Sequence, residues 1–214
     1  MLLSMKKIAC IALFAFVSLS LHAQKADKEG WIKLFNGKSF KGWSISENPE
    51  SFSIEDGVIK IDGPRAHLFY TGKVADHDFK NFELKLQIKT MPNANSGIFI
   101  HTEFQEGGWP EKGYEIQVNQ THGDWRKTGS VYSFKDVKET YVTDGEWYTK
   151  HIVVQGDQVT VKVNGKVINE FTEAQDRGDI GESRKKLSSG TIALQAHDPK
   201  SVIYYKDIQI KPLP

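Results

Sequence analysis

The side chains best placed to do chemistry lie in the segment Gly113-Tyr114-Glu115-Ile116-Gln117-Val118-Asn119. Strand side chains alternate, so Tyr114, Ile116 and Val118 take an apolar face while Glu115, Gln117 and Asn119 share the other. Three hydrogen-bonding groups in a row, with no lysine or arginine among them, are unusual for a merely wet sheet face, which is the plain alternative. The segment from Asn95 to Glu103 behaves alike. If Ile98 and Ile100 point to the core, Phe99, His101 and Glu103 share the opposite face, and Gly97 lets a ligand or a neighbouring chain approach the backbone. Gln195 and His197, two apart on a strand with Ile192 and Leu194, project together. Trp109 sits in the loop Gln105 to Lys112, and Trp125 with Arg126 follows Thr121-His122-Gly123-Asp124. Aromatic faces stack on the C–H faces of pyranose rings, and carboxylates and amides bind hydroxyls, so this collection suits a carbohydrate. Singly, a loop tryptophan caps a core more often than it binds, and a lone histidine is usually structural or simply exposed. Asp76-His77-Asp78 has metal-like residue types but no further ligand nearby, and is read as ordinary surface.

Strands must position these groups. Phe82 to Lys89 alternates apolar and polar residues, as a half-buried antiparallel strand does. Val159 to Val163, Asn164-Gly165 and Lys166 to Ile168 form a hairpin, because Asn-Gly supplies the two positive-φ positions of a type I′ turn. Further strands are expected at 52–54, 57–61, 97–104, 113–119, 129–133, 149–155, 190–196 and 202–211. Convincing 3.6-residue periodicity is absent, so the fold is all-β, two packed antiparallel sheets with a core between them. Ala174 to Leu187, polar and with two glycines, reads as a surface loop holding at most one helical turn.

The chain has 214 residues, 39% hydrophobic and 26% charged, which suits one globular domain and excludes a disordered tail or a heptad rod. Residues 1–23 carry Lys6 and Lys7, an apolar run from Ile8 and a small residue, Ala23, before Gln24. That is a secretory signal pattern, too short to be preferred as a permanent span, so residues 24–214 form the expected mature domain, periplasmic or extracellular, with no stable membrane span. The one cysteine, Cys10, falls in the leader, which excludes disulfides and thiolate chemistry from the mature domain. Basic side chains number 28 against 27 acidic, two of the lysines being in the leader, so there is no electrostatic case for nucleic acid.

Leu34-Phe35-Asn36-Gly37 with Gly42-Trp43, Asn95-Ser96-Gly97-Ile98-Phe99, Gly113-Tyr114-Glu115-Ile116-Gln117, Thr128-Gly129-Ser130-Val131-Tyr132, Trp147 with Asn164-Gly165, and Gly190 to His197 occur in that order. In this the chain resembles the 3-keto-disaccharide hydrolase domain family over about residues 29 to 213. The resemblance implies a jelly-roll sandwich of concanavalin A-like lectin and glucanase type with a concave binding face. It also implies cleavage of glycosides whose sugar has been oxidised to a ketone at carbon 3, and it adds Tyr132 to the substrate-binding residues Gln117, Asn119, Glu103, Trp109, Trp125, Gln195 and His197. Many relatives carry an arginine where this chain has His101.

A direct glycosidase needs two carboxyl groups astride the bond. Side chains two apart on a strand stand ~7 Å from each other, but position 117 is Gln, leaving Glu103 as the second acid. A 3-keto sugar needs less. Its ketone acidifies the hydrogen on carbon 2, so one base removes that proton and the aglycone leaves from carbon 1 before water adds back. Glu115 is the expected base, with His101 or Arg126 as enolate stabiliser or acid. A divalent metal held by His101, Glu103 or Glu115 is the alternative electrophile. The rival classes are a direct glucanase and a non-catalytic carbohydrate-binding module.

Overall fold

Alternation in residues 82–89 is realised as β6 (Asn81–Thr90), which buries Phe82, Leu84, Leu86 and Ile88 in the computed structural model of residues 26–178 and 183–214. The leader, with Cys10, lies outside these described residues. The other strands are β1 (Ile32–Lys33), β2 (Trp43–Ile45), β3 (Phe52–Glu55), β4 (Val58–Ile61), β5 (Ala66–Tyr70), β7 (Asn95–Thr102), β8 (Tyr114–Asn119), β9 (Tyr148–Gln155), β10 (Gln158–Val163), β11 (Lys166–Thr172), β12 (Thr191–Ala196) and β13 (Ile203–Leu213). One sheet runs β11-β10-β9-β6-β13-β4-β3, with β1 added on β13, and the second runs β2-β5-β12-β7-β8. All the pairings are antiparallel. The core fills the space between the sheets, where Tyr114, Ile116 and Val118 meet the inward rows of β6, β9 and β13. Burying each large side chain contributes about 1.5–3 kcal/mol.

The β10–β11 hairpin turns as its Asn-Gly requires, with φ of 47° at Asn164 and 82° at Gly165. The loop after β11 opens with a single helical turn, α1 (Glu173–Asp176). Three departures from the expected strands matter. β5 is missing from the sequence reading because Ala-His-Leu-Phe-Tyr is buried on both faces and does not alternate. Residues 129–133 form an irregular edge on β8: Gly129 N donates to Gln117 O (3.0 Å), Gln117 N to Ser130 O (2.9 Å) and Tyr132 N to Glu115 O (2.9 Å). Gly129 has φ 97°, which a regular strand cannot contain. The third lies at the end of β7. Thr102 is opposite Thr191 and Phe99 opposite Ala193, so three steps on β7 match two on β12. The extra residue makes a bulge, and His101 takes a left-handed φ of 52°.

Candidate active site

Strand parity brings one row from each of four neighbouring strands to the outer face of the five-stranded sheet. β5 presents His67 and Phe69, β12 presents Ala193 and Gln195, β7 presents Gly97 and Phe99, and β8 presents Glu115, Gln117 and Asn119. Phe69, Phe99 and Ala193 make a small apolar cluster separate from the main core. Glu115 is opposite Phe99 and Gln117 opposite Gly97. The Glu115 side chain leans along the face over Gly97, where Gln195 Nε2 donates to its Oε1 (3.1 Å). Only a glycine leaves room for this. A Cβ at position 97 would come within 2.6 Å of Glu115 Cγ.

Burial raises the Glu115 carboxyl to about 7, with the Gln195 bond and the positive charge of Lys185 pulling the other way. A carboxylate at that value is a base matched to neutral pH. Polar atoms around it lack partners among the described residues: Gln195 Oε1, Gln117 Oε1 and both ring nitrogens of His67. Buried polar atoms are nearly always paired, so such a concentration on one face is suited to a hydroxylated ligand. Burial holds His67 down to about 3, so its imidazole is neutral.

Two loops wall this floor. On one side Arg65 clamps Glu47 (2.7 Å), and Glu47 accepts from Gly108 N (3.1 Å), fixing the loop that carries Trp109. The half-exposed Trp109 ring stands 5.7 Å from His67 and 5.3 Å from His197. His197 is itself tied to Asp198 (2.8 Å). On the other side Asn119 organises the second loop: its Nδ2 donates to Asp124 O and Arg126 O (2.8 Å each), and its Oδ1 accepts from His122 N (3.0 Å). Trp125 is exposed there. Arg126 stacks on Trp125 and Tyr132 and pairs with Asp124 (3.4 Å) and Asp136 (3.3 Å). Asn119→Ala strands these buried backbone groups, and is expected to lower unfolding stability by about 2–4 kcal/mol. Urea denaturation showing a change within about 0.5 kcal/mol would contradict that role.

His101 does not join this face. The bulge turns it inward, against the Phe82 ring (5.7 Å), its Nε2 donating to Lys80 O (2.8 Å) and its Nδ1 accepting from Ser188 N (3.1 Å). Both nitrogens are therefore occupied, and burial lowers its pKa. Glu103 is likewise committed, to Arg184 and Lys112. His101, Glu103 and Glu115 thus do not fit a shared metal ion, and among the described residues no three His, Cys, Asp or Glu side chains converge to hold one. Two groups escaped the sequence reading. His67 lies on the strand that periodicity could not reveal. Lys185 belongs to the segment expected to be plain surface loop, yet its ammonium stands 5.7 Å from the Phe99 ring centroid, donates to Pro110 O, and feels the Glu115 charge.

The chain matches the 3-keto-alpha-glucoside-1,2-lyase-like domain over residues 30–211. A 3-keto-disaccharide hydrolase of Bacteroides thetaiotaomicron is 29% identical over 174 residues, 68% of this chain and 59% of that protein, so the chain spans less than two thirds of that relative's length. The structure of a candidate glycosyl hydrolase from Parabacteroides distasonis is similar with a TM-score of 0.73 at 27% identity, covering 87% of this chain and 95% of that one. A Bacillus licheniformis beta-glucanase is similar with a TM-score of 0.57 at 11% identity, covering 86% and 97%. At that identity the likeness shows the fold alone, the concanavalin A-like sandwich of such glucanases.

Proposed function

The chain belongs to the 3-keto-alpha-glucoside-1,2-lyase-like domain family, and from that premise we propose that it cleaves glycosides bearing a ketone at carbon 3, with Glu115 as the base. The observation that carries the reading is the state of Glu115. Its carboxyl is raised to about 7 by burial, and among the described residues the side-chain hydrogen bond it accepts comes from Gln195 to Oε1, which leaves its second oxygen open to a substrate proton. The C2–H electron pair becomes the enolate as Glu115 takes the proton, and the C1–O bond then breaks with its electrons leaving on the aglycone oxygen, which receives the proton back from the Glu115 carboxyl and so restores the carboxylate. Water later adds across the C1–C2 double bond. Lys185 supplies the positive charge facing the carboxylate, in place of His101, while Arg126 is largely neutralised by Asp124 and Asp136. Gln117, Gln195 and His67 bind hydroxyls, and Trp109 stacks on the sugar. Direct hydrolysis needs a second free carboxyl. Asp124, the carboxylate whose charge reaches Glu115, is engaged by Arg126 and by the Tyr132 hydroxyl (3.4 Å).

The test follows aglycone release from glucosides and from their 3-keto forms between pH 5 and 9, with and without chelator. Release is expected from the keto forms alone. A protonated carboxyl cannot accept the C2 proton, so kcat/KM should fall about tenfold per pH unit below 7 and level off above it. His67, held at about 3, stays neutral across this range and adds no limb. A plateau already reached by about pH 5.5 would place the base at an ordinary carboxyl value and count against Glu115.

A further inference from the structure

Lys150 takes no part in the site described above, and its setting is otherwise unexplained. The inward row of β9 reads Tyr148, Lys150, Ile152, Val154, all buried, and the residues opposite Lys150 are Leu86 on β6 and Val163 on β10. Parity therefore puts an ammonium group, 0% exposed, where every neighbour in the row is core. Removing an unpaired ammonium from water is costly, and a methionine there would pack without that cost. The Nζ reaches across the space between the sheets and donates to Gln117 O at 2.5 Å, a carbonyl that also accepts from Gly129 N. A carbonyl dipole does not neutralise a full charge. Two residues before Gln117, on the opposite face of β8, stands Glu115.

We propose that Lys150 is a second counter-charge of Glu115 beside Lys185, a positioning residue whose ammonium, held under β8 by the Gln117 carbonyl, compensates the carboxylate through the sheet without pairing with either of its oxygens. The inference rests on Glu115 being the base. A direct ion pair would occupy the lone pair that must accept the C2 proton and would pull the carboxyl well below neutrality. A cation behind the strand eases ionisation without touching either oxygen.

Among the described residues, the other groups whose charge acts on Glu115 are Lys185 and Asp124, both ahead of Lys150 in effect, with Gln195 as hydrogen-bond donor. Tyr132 beside β8 and Tyr205 from β13 also feel its charge, and burial pushes both phenols up, so they are neutral. Glu115 is the one charged group acting on Lys150 among the described residues. In the same layer Tyr148 is likewise neutral, pushed up by burial. Burial lowers the pKa of the Lys150 ammonium and the Glu115 charge raises it, so its protonation responds to that neighbour.

Lys150→Met keeps an unbranched side chain, one atom shorter, and removes the charge, and should raise the midpoint of Glu115 by roughly half a pH unit. By linkage, Glu115→Gln should lower the midpoint of Lys150 by the same amount. Both are read by NMR on the unliganded protein: the ¹³C shift of the Glu115 carboxyl in wild type and Lys150→Met, and the ¹⁵Nζ shift of Lys150 in wild type and Glu115→Gln. No turnover is involved, so failure to cleave a 3-keto glycoside overturns the base assignment and leaves this coupling measurable. A merely structural lysine would alter the thermal midpoint of Lys150→Met and leave both titrations unmoved, which overturns the proposal. If Lys150→Met does not fold, the ¹⁵Nζ titration in Glu115→Gln decides alone.

Discussion

Glu115→Gln is expected to cut turnover of a 3-keto glycoside by roughly 10²- to 10⁴-fold, the usual cost of removing a general base. The amide keeps the size of the carboxyl, and its oxygen still accepts from Gln195 Nε2, so folding and ligand binding should survive. Stability supplies an internal control. The Glu115 carboxyl rises from an ordinary 4.5 to about 7 on folding. Its stabilising balance is therefore complete below 4.5, is lost as pH climbs from 4.5 to 7, and leaves a cost above 7. The variant has no such titration. At pH 8 it should be more stable than wild type, by up to about 3 kcal/mol from a shift of roughly two and a half pH units, and at pH 4 the two should match. Aglycone release read beside thermal midpoints at both pH values separates a lost base from a lost fold. Near wild-type turnover would remove Glu115 from the reaction.

Gly97→Ala should cost nearly as much without changing any functional group. The backbone at Gly97 lies outside the left-handed region, so alanine meets no φ strain there. What the new methyl meets is the Glu115 side chain, 2.6 Å from Cγ and 2.7 Å from Cδ. A flexible side chain yields more readily than the sheet, so the carboxylate moves and leaves the Gln195 amide. A displacement of about 1 Å at a reacting group costs on the order of 10²-fold in rate. The expected result is a kcat lowered about 100-fold with stability within about 1 kcal/mol of wild type. An unchanged kcat, or a crystal structure of the variant with Glu115 still bonded to Gln195, would show that the glycine does not hold the base in place.

The two tests differ in what made them visible. Glu115, Gln117 and Asn119 could be assigned to one face from the chain alone, because a strand's period of two is local and Tyr114, Ile116 and Val118 have no other place than the core. The Asn164-Gly165 turn and the sandwich architecture follow from equally local facts, a left-handed φ pair and repeated alternation. His101 shows where that logic stops. One residue inserted at a bulge reverses parity, and whether a bulge forms depends on the register between β7 and β12, which the spacing of apolar residues within β7 does not contain.

Tertiary structure also decided who stands next to the base. Gln195 bonds Glu115 from 80 residues away, and Lys150 reaches Gln117 from 33 residues away and from the other sheet. His67 was hidden because a strand buried on both faces carries no alternation to read, and Lys185 because a polar loop looks the same whether it faces water or folds back over a site. Periodicity says which way a side chain points along its own strand. The order in which strands pair, and the path of the loops between them, say what it points at, and those are set by the summed packing of the whole sandwich.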